Sequence, residues 1–453
     1  MSIVIILAGI IFLYLLVAKP EVIAVLFFTI TIADINFELG GLPLNARALI
    51  GLAIFGRIII SEKNEMQKGF ISNSNILIII GFTLYTVLVT AFNDLITPGF
   101  IKQCFLTLIA VYCGYYYYMK EGNLRYLKIS LILAGLICFF DLAYTYKEYG
   151  EFPVQRVYQW LLKVPIELDE EGKILEIINH NFYGLICGMS FVVIINGFIN
   201  QKSPNKLLLL LLPVMFLGVL MSTSRSTLLG IIVISMVLIT RELRHKERAQ
   251  KALLLITMAI GILFLSLFLF TTLQSYFTLE SDFVERISQR LVDEPIAVFN
   301  KHLGMNYNAN SLEAMDWREE ASADAFAAFL KLHPLEQTFG IGYWGFIVRD
   351  LGRTGINPHN GFLLLLIETG IMGLLIYSIL IYSIIRRSLK VNSNISPLVT
   401  TLIFVIFYCI GQNGELTSSI TFLFITNLIA ENECLAIQNQ TAHVDETGTF
   451  QPV

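Results

Sequence analysis

GFLLLLIETGIMGLLIYSILIYSII, residues 361–385, decides the fold. Glu368 is its one charged residue, and the run is longer than the roughly 20 apolar residues that cross the hydrocarbon of a bilayer. Ile76–Thr90, Leu207–Leu220 and Leu253–Phe270 repeat the pattern upstream. Runs of this kind recur along nearly the whole chain, so the sequence predicts one membrane domain and not a soluble protein with an anchor.

Composition agrees. Of 453 residues 55% are hydrophobic and 15% charged, and mean hydropathy is +0.69. A soluble core cannot absorb that much apolar surface. The net charge of −4 offers no electrostatic footprint for nucleic acid, so membrane lipids and lipid-borne molecules are the expected partners. The apolar start Met1–Ala18 lacks a basic lead and a small-residue cleavage site, and reads as a retained membrane segment. Cys104, Cys113, Cys138, Cys187 and Cys409 lie in apolar segments and Cys434 just past the last one, with no C-x-x-C pair. They read as small apolar side chains and not as metal ligands or disulfides.

The sequence thus predicts an all-α polytopic protein of about 12–13 spans, near 2–18, 21–35, 44–61, 73–92, 99–119, 126–146, 177–200, 205–221, 223–240, 251–273, 359–386, 396–411 and 416–432. It divides into an N-terminal bundle (1–273), a large loop (274–358) with a helix at about 311–332, C-terminal spans (359–432) and a cytoplasmic tail (433–453) expected to be disordered. Arg241, Arg244, Lys246, Arg248 and Lys251 cluster in one connection, and Arg386, Arg387 and Lys390 in another. Basic clusters favour the cytoplasm, which places the large loop and Ser222–Ser226 outside. The same parity puts Met1 outside, and the later clusters are given the greater weight.

Three outer features invite chemistry. On the loop helix, which opens with an Asn310/Glu313 capping pair, Arg318 shares a stripe with Met315, Ala325, Phe326, Phe329 and Leu330. Its neighbours three and four positions away are Ala314, Met315, Ala321 and Ser322, so no acid on the helix pairs with it. It is either salt-bridged elsewhere in the loop, snorkelling, or aimed at an anion. Arg225 stands between Ser224 and Ser226, where a guanidinium fork and flanking hydroxyls suit phosphate oxygens; an interfacial anchor on lipid headgroups is the plainer reading. Asn357-Pro358-His359-Asn360 lies where the loop re-enters the membrane. His359 is either a structural hydrogen-bonder or a general base. Glu368, inside the hydrocarbon on this reading, must face protein and have a partner, and Gly370 and Gly373 read as close helix packing. Gly340-Ile341-Gly342-Tyr343-Trp344-Gly345 matches G-x-G-x-x-G, but no βαβ unit surrounds it, so a tight turn is preferred to a dinucleotide site.

The ordered set Trp317-Arg318, His333-Pro334, Gly340-Ile341-Gly342, His359-Asn360-Gly361-Phe362-Leu363 and Glu368-Thr369-Gly370-Ile371-Met372-Gly373-Leu374 resembles the core of the bacterial O-antigen ligase and O-antigen polymerase superfamily. The resemblance runs from Ser224-Arg225 to Tyr377. It implies a metal-independent membrane glycosyltransferase of the class C type, with no cofactor, facing the periplasm from the cell inner membrane. The implied donor is an undecaprenyl-diphosphate-linked glycan, and the acceptor is lipid A core or another lipid-linked repeat unit. Carried over residue by residue, Arg225 and Arg318 match the diphosphate-binding arginines and His359 the essential histidine, with Ser224, Ser226, Asn360 and Glu368 in support. A transporter or flippase of lipid-linked oligosaccharide is the rival reading. It predicts charges along a central path and related halves, whereas this chain gathers its unusual polar residues at one surface. A scaffold would not need Arg318 on an apolar stripe.

Overall fold

A computed structural model describes residues 19–33, 42–61, 65–122, 124–149, 178–200, 206–243, 293–306, 313–349, 358–391, 396–412 and 415–447, with short pieces at 38–39, 156–157, 257, 261–262, 265–266 and 351. The expected span at 2–18 lies outside the described residues, and most of 251–273 does too.

The chain is an all-α polytopic membrane protein. Among the described residues five helical stretches are long and apolar enough to cross a membrane: Ser74–Phe92, Arg125–Tyr144, Asn181–Ile199, Gly361–Val391 and Ser419–Asn439. Two short antiparallel hairpins, Glu38–Leu39 with Leu42–Asn45 and Arg156–Val157 with Ile178–Asn179, accompany them. Among the described residues the α-helices up to the large loop include α1 (Pro20–Ile32), α2 (Ala46–Ser61), α3 (Glu65–Ser72), α4 (Ser74–Phe92), α5 (Pro98–Glu121), α6 (Arg125–Tyr149), α7 (His180–Asn200), α8 (Leu212–Met221) and α9 (Arg225–Leu243). In the loop lie α10 (Glu294–His302), α11 (Glu313–Lys331), α12 (Pro334–Phe339) and α13 (Gly345–Val348), followed by α14 (Gly361–Val391), α15 (Pro397–Ile410) and α16 (Ser419–Thr447).

Local chemistry sets many ends. α5 starts where Pro98 supplies a preset φ and the Thr97 hydroxyl accepts from the Phe100 amide at 3.1 Å; it stops where Gly122 turns left-handed at φ 62°. Asn73 caps α4 through the Asn75 and Ile76 amides, and Ser396 caps α15 ahead of Pro397.

One apolar core reaches from Ile23 to Ala430. The N-terminal and C-terminal spans, separate in sequence, therefore share it: α16 lies along α5, α15 against α7 and α9, and α14 against α4. Several polar groups pair across these helices, which lowers the cost of holding them in a bilayer. The Tyr115 hydroxyl donates to Glu433 at 2.5 Å and the Asn73 amide donates to the same carboxylate. Thr107 meets Ser419 at 3.1 Å, and Asn196 donates to Thr400 at 3.0 Å.

The tail departs from expectation. No disordered segment begins at 433; α16 continues unbroken to Thr447. Asn432 donates to the Ile384 carbonyl and Asn439 to that of Val391, so α14 holds α16 as far as Asn439.

The loop forms a second, smaller core from Ala325, Phe329, Ile341, Phe346 and Ile367. Of the stripe expected on α11, Ala325 and Phe329 are buried, whereas Phe326 and Leu330 are exposed. The packed face is narrower than periodicity implies, because α11 rests on the first half of α14 along one edge only. The side chain of Met315 and residue Asn310 lie outside the described residues.

Candidate functional site

A break in α14 organises the loop end of the bundle. Gly370 has φ 68° and ψ −178° inside the helix. Such a break strands carbonyls that the next turn would otherwise engage, and the chain engages them from elsewhere. The Ile341 amide donates to Ile367 O at 3.1 Å and the Gly342 amide to Glu368 O at 3.0 Å. The Tyr85 hydroxyl reaches Thr369 O at 2.7 Å and Phe339 O at 2.8 Å. Gly340, at φ 90°, lies so close that a Cβ on it would stand 2.3 Å from Glu368 O and 2.6 Å from the Gly370 nitrogen. The G-x-G turn is thus a backbone clamp on the broken helix, which accounts for its glycines without a nucleotide.

Glu368 finds its partner in the same clamp, accepting from the Trp344 amide at 2.9 Å. It lies two residues before the break at Gly370. Gly370 is the hinge of that break and also a point of close packing, since a Cβ on it would stand 2.3 Å from Thr338 O and 2.5 Å from the Gly340 nitrogen. Further out, the Arg349 guanidinium donates to Glu336 at 2.6 Å and holds that carboxyl below its usual range. Tyr343 stacks on Phe100 with centroids 5.1 Å apart.

His359 precedes this broken helix. It has φ 47°, a left-handed conformation that costs a non-glycine residue roughly 1–3 kcal/mol, and both neighbours are fixed. Pro358 offers its carbonyl to the Ser322 hydroxyl of α11. Asn360 caps α14, its Oδ1 accepting from the Phe362 amide at 3.0 Å and the Leu363 amide at 3.1 Å. The supporting role of Asn360 is therefore to hold the turn that presents His359. Arg318 lies on α11 one helical turn before Ser322, the residue tied to Pro358. The side chain of Arg318 lies outside the described residues.

The Ser222–Ser226 turn joins the same end. Ser224 is fully buried; its Oγ accepts from Thr227 at 2.9 Å and belongs to the start of α9, not to an open cradle. Ser226 is half-buried, its Oγ 2.5 Å from where a Cβ on Gly411 would stand. The next residue, Gln412, places its carbonyl 3.2 Å from a Cβ built on Gly361, two residues after His359. The 411–412 turn thus bridges the Arg225 and His359 turns. Arg225 itself is ion-paired with Glu294 of α10, both side chains largely buried. Neither reading made of Arg225 contains that pairing, which commits one Nη to an acid of the loop.

Compared with known families, residues 209–378 match the model described as O-antigen ligase. The chain carries an O-antigen ligase family domain. The match spans α8 through the middle of α14 and contains Arg225, Arg318, His359 and the Gly340–Gly370 clamp. No curated protein matches the chain. The ligase domain makes this a membrane protein of glycosyltransferase-like, ligase or polymerase type, working on lipid-linked glycan and an acceptor in general terms.

Sequence reasoning missed Glu294, Tyr85 and Gln412. Glu294 is the second of two adjacent acids, Asp293-Glu294, in an unpatterned stretch. Tyr85 looks like one aromatic among many in an apolar run, and its partners lie 254 and 284 residues away. Gln412 carried the only available signal, a polar residue next to a glycine at the end of a span, and it is buried.

Proposed function

We propose that this chain transfers a glycan from undecaprenyl diphosphate to an acceptor sugar, of lipid A core or of another lipid-linked repeat unit, at the periplasmic face of the bacterial inner membrane. The observation that carries the reading is the gathering of the Arg225 turn, the His359 turn and the Arg318 helix at one end of an O-antigen ligase domain.

In this reading His359 takes the proton of the acceptor hydroxyl, whose oxygen attacks the anomeric carbon as the bond to the diphosphate breaks. The departing polyprenyl diphosphate gains charge, and Arg225 and Arg318 stabilise it. Displacement from the opposite face inverts the anomeric centre. Positioned donors of this kind contribute about 10²–10³ in rate, and a general base about 10²–10⁴. Glu294 holds one edge of the Arg225 fork and so fixes its orientation. Ser226, Asn360 and Glu368 act through the turns they hold. Two arginines carry the electrostatic work that a divalent ion does elsewhere, so the reaction needs no metal.

The test is transfer by purified protein from a polyprenyl-diphosphate-linked glycan in excess chelator. Full activity is expected. Activity abolished by chelator and restored by magnesium or manganese would replace the arginine mechanism with a metal one. Transport of the donor across a vesicle membrane without transfer would favour the flippase.

A further inference from the structure

The link between α8 and α9 is only Ser222-Thr223-Ser224, and Arg225 is the first residue of α9. Thr223 follows the C-cap of α8 at φ 48°, a left-handed place where glycine is the usual residue and a β-branched side chain is strained. It is buried all the same. Ser222 braces it from both sides: its Oγ donates to the Val219 carbonyl at 2.7 Å and accepts from the Ser224 amide at 3.3 Å. α7 then closes on the turn. A Cβ on Gly184 would stand 2.3 Å from Ser222 Oγ and 2.9 Å from Ser224 Cβ. One helical turn along α7, a Cβ on Gly188 would stand 2.7 Å from Thr227 Cγ2. The backbone on both sides of Arg225 is therefore held by α7, while Glu294 holds the guanidinium.

We infer that Gly184 and Thr223 are positioning residues for transfer: they set where the backbone of Arg225 stands, so that its guanidinium meets the departing diphosphate without rearranging. The inference rests on the phosphate role proposed above for Arg225. Developing charge is stabilised best by a donor already in place, and a displacement of about 1 Å can cost about 10²-fold in rate. An arginine side chain has several rotatable bonds, so a fixed charge needs a fixed Cα as well as the Glu294 contact. Glycine at 223 would reverse the chain without strain; threonine, packed into the same conformation, leaves the turn fewer alternatives. Strain that the surrounding packing over-determines is a property of functional sites. Packing of α7 on α8 and α9 with no bearing on Arg225 is the competing explanation.

The test separates position from packing by repeating each substitution with and without Arg225. Gly184→Ala drives a methyl group into Ser222, whose two hydrogen bonds keep it from turning away. It should lower the single-turnover rate of transfer from a polyprenyl-diphosphate-linked glycan roughly ten- to hundredfold. Arg225→Ala should itself be slower by about 10²–10³. With no guanidinium left to misplace, adding Gly184→Ala to it should change the rate by less than about twofold. A packing role would instead lower the rate by the same factor in both backgrounds. Thr223→Gly carries the test should Gly184→Ala fail to fold, because glycine takes φ 48° without strain. It should lower transfer about three- to tenfold by freeing the turn, again only where Arg225 is present. Wild-type transfer by either variant would remove the role from that residue. Equal factors in the two backgrounds would overturn the positioning role while the transferase reading stands. Wild-type transfer by Arg225→Ala would overturn the phosphate role of Arg225 and the positioning role together.

Discussion

Gly340→Ala should uncouple the loop from the membrane bundle. The added Cβ would meet Glu368 O at 2.3 Å, the Glu368 carbonyl carbon at 2.6 Å and the Gly370 nitrogen at 2.6 Å. All three are backbone atoms, so no side-chain rotation relieves them. At φ 90° the alanine is also strained by about 1–3 kcal/mol, and overpacking adds about 1–3 kcal/mol. If the turn withdraws instead, it gives up the Ile341–Ile367 and Gly342–Glu368 hydrogen bonds, each worth about 1 kcal/mol net and more where a carbonyl is left buried and unpaired. Either route costs about 2–6 kcal/mol, a large share of a typical folding free energy of about 5–15 kcal/mol. The assay is limited proteolysis across 313–351 beside thermal unfolding in detergent and the rate of glycan transfer. Faster cleavage, a lower transition and loss of transfer are expected together. Gly81→Ala is the control: no atom lies within 4 Å of its Cβ, and in a helix interior alanine is neutral or better. A Gly340→Ala protein with wild-type cleavage and transfer would refute the clamp.

Two further perturbations separate the roles of the candidate residues. His359→Ala should bind the lipid diphosphate nearly normally and lose about 10²–10⁴ in single-turnover transfer, whereas Arg225→Ala and Arg318→Ala should weaken donor binding too, with lysine rescuing only partly because it lacks the bidentate fork. Donor affinity measured on membrane-inserted variants decides this, and a binding defect in His359→Ala as large as in the arginine variants would move His359 to the phosphate site. For Arg225 and Glu294, a double-mutant cycle to alanine read by thermal or denaturant unfolding should give a coupling of roughly 1–3 kcal/mol; additive single effects would mean that the ion pair holds nothing in place.

How much of this was legible beforehand differs between the fold and the site. Apolar runs long enough to cross a bilayer are a local property, and the limits of α4, α5 and α15 follow from Asn73, Thr97-Pro98 and Ser396-Pro397 beside them. The ordered motifs from Ser224-Arg225 to Tyr377 were readable for the same reason, since each is a short run of residues in a fixed order, and the family match covers them. The extension of α16 to Asn439 was not, because Asn432 and Asn439 are held by carbonyls of α14 that no local composition reveals.

By itself, then, the sequence determined that this is an all-α membrane protein with an O-antigen ligase domain and named the residues around which a site could be built. Only the tertiary structure decided that α14 breaks at Gly370, that Gly340 closes on it, that Glu294 occupies one edge of Arg225, and that Asn360 serves a helix start. The reason is physical. Hydropathy and capping act between residues a few positions apart, whereas a stranded carbonyl can be satisfied by any donor the fold brings to it, and here the donors are Ile341, Gly342 and a tyrosine 284 residues from its partner.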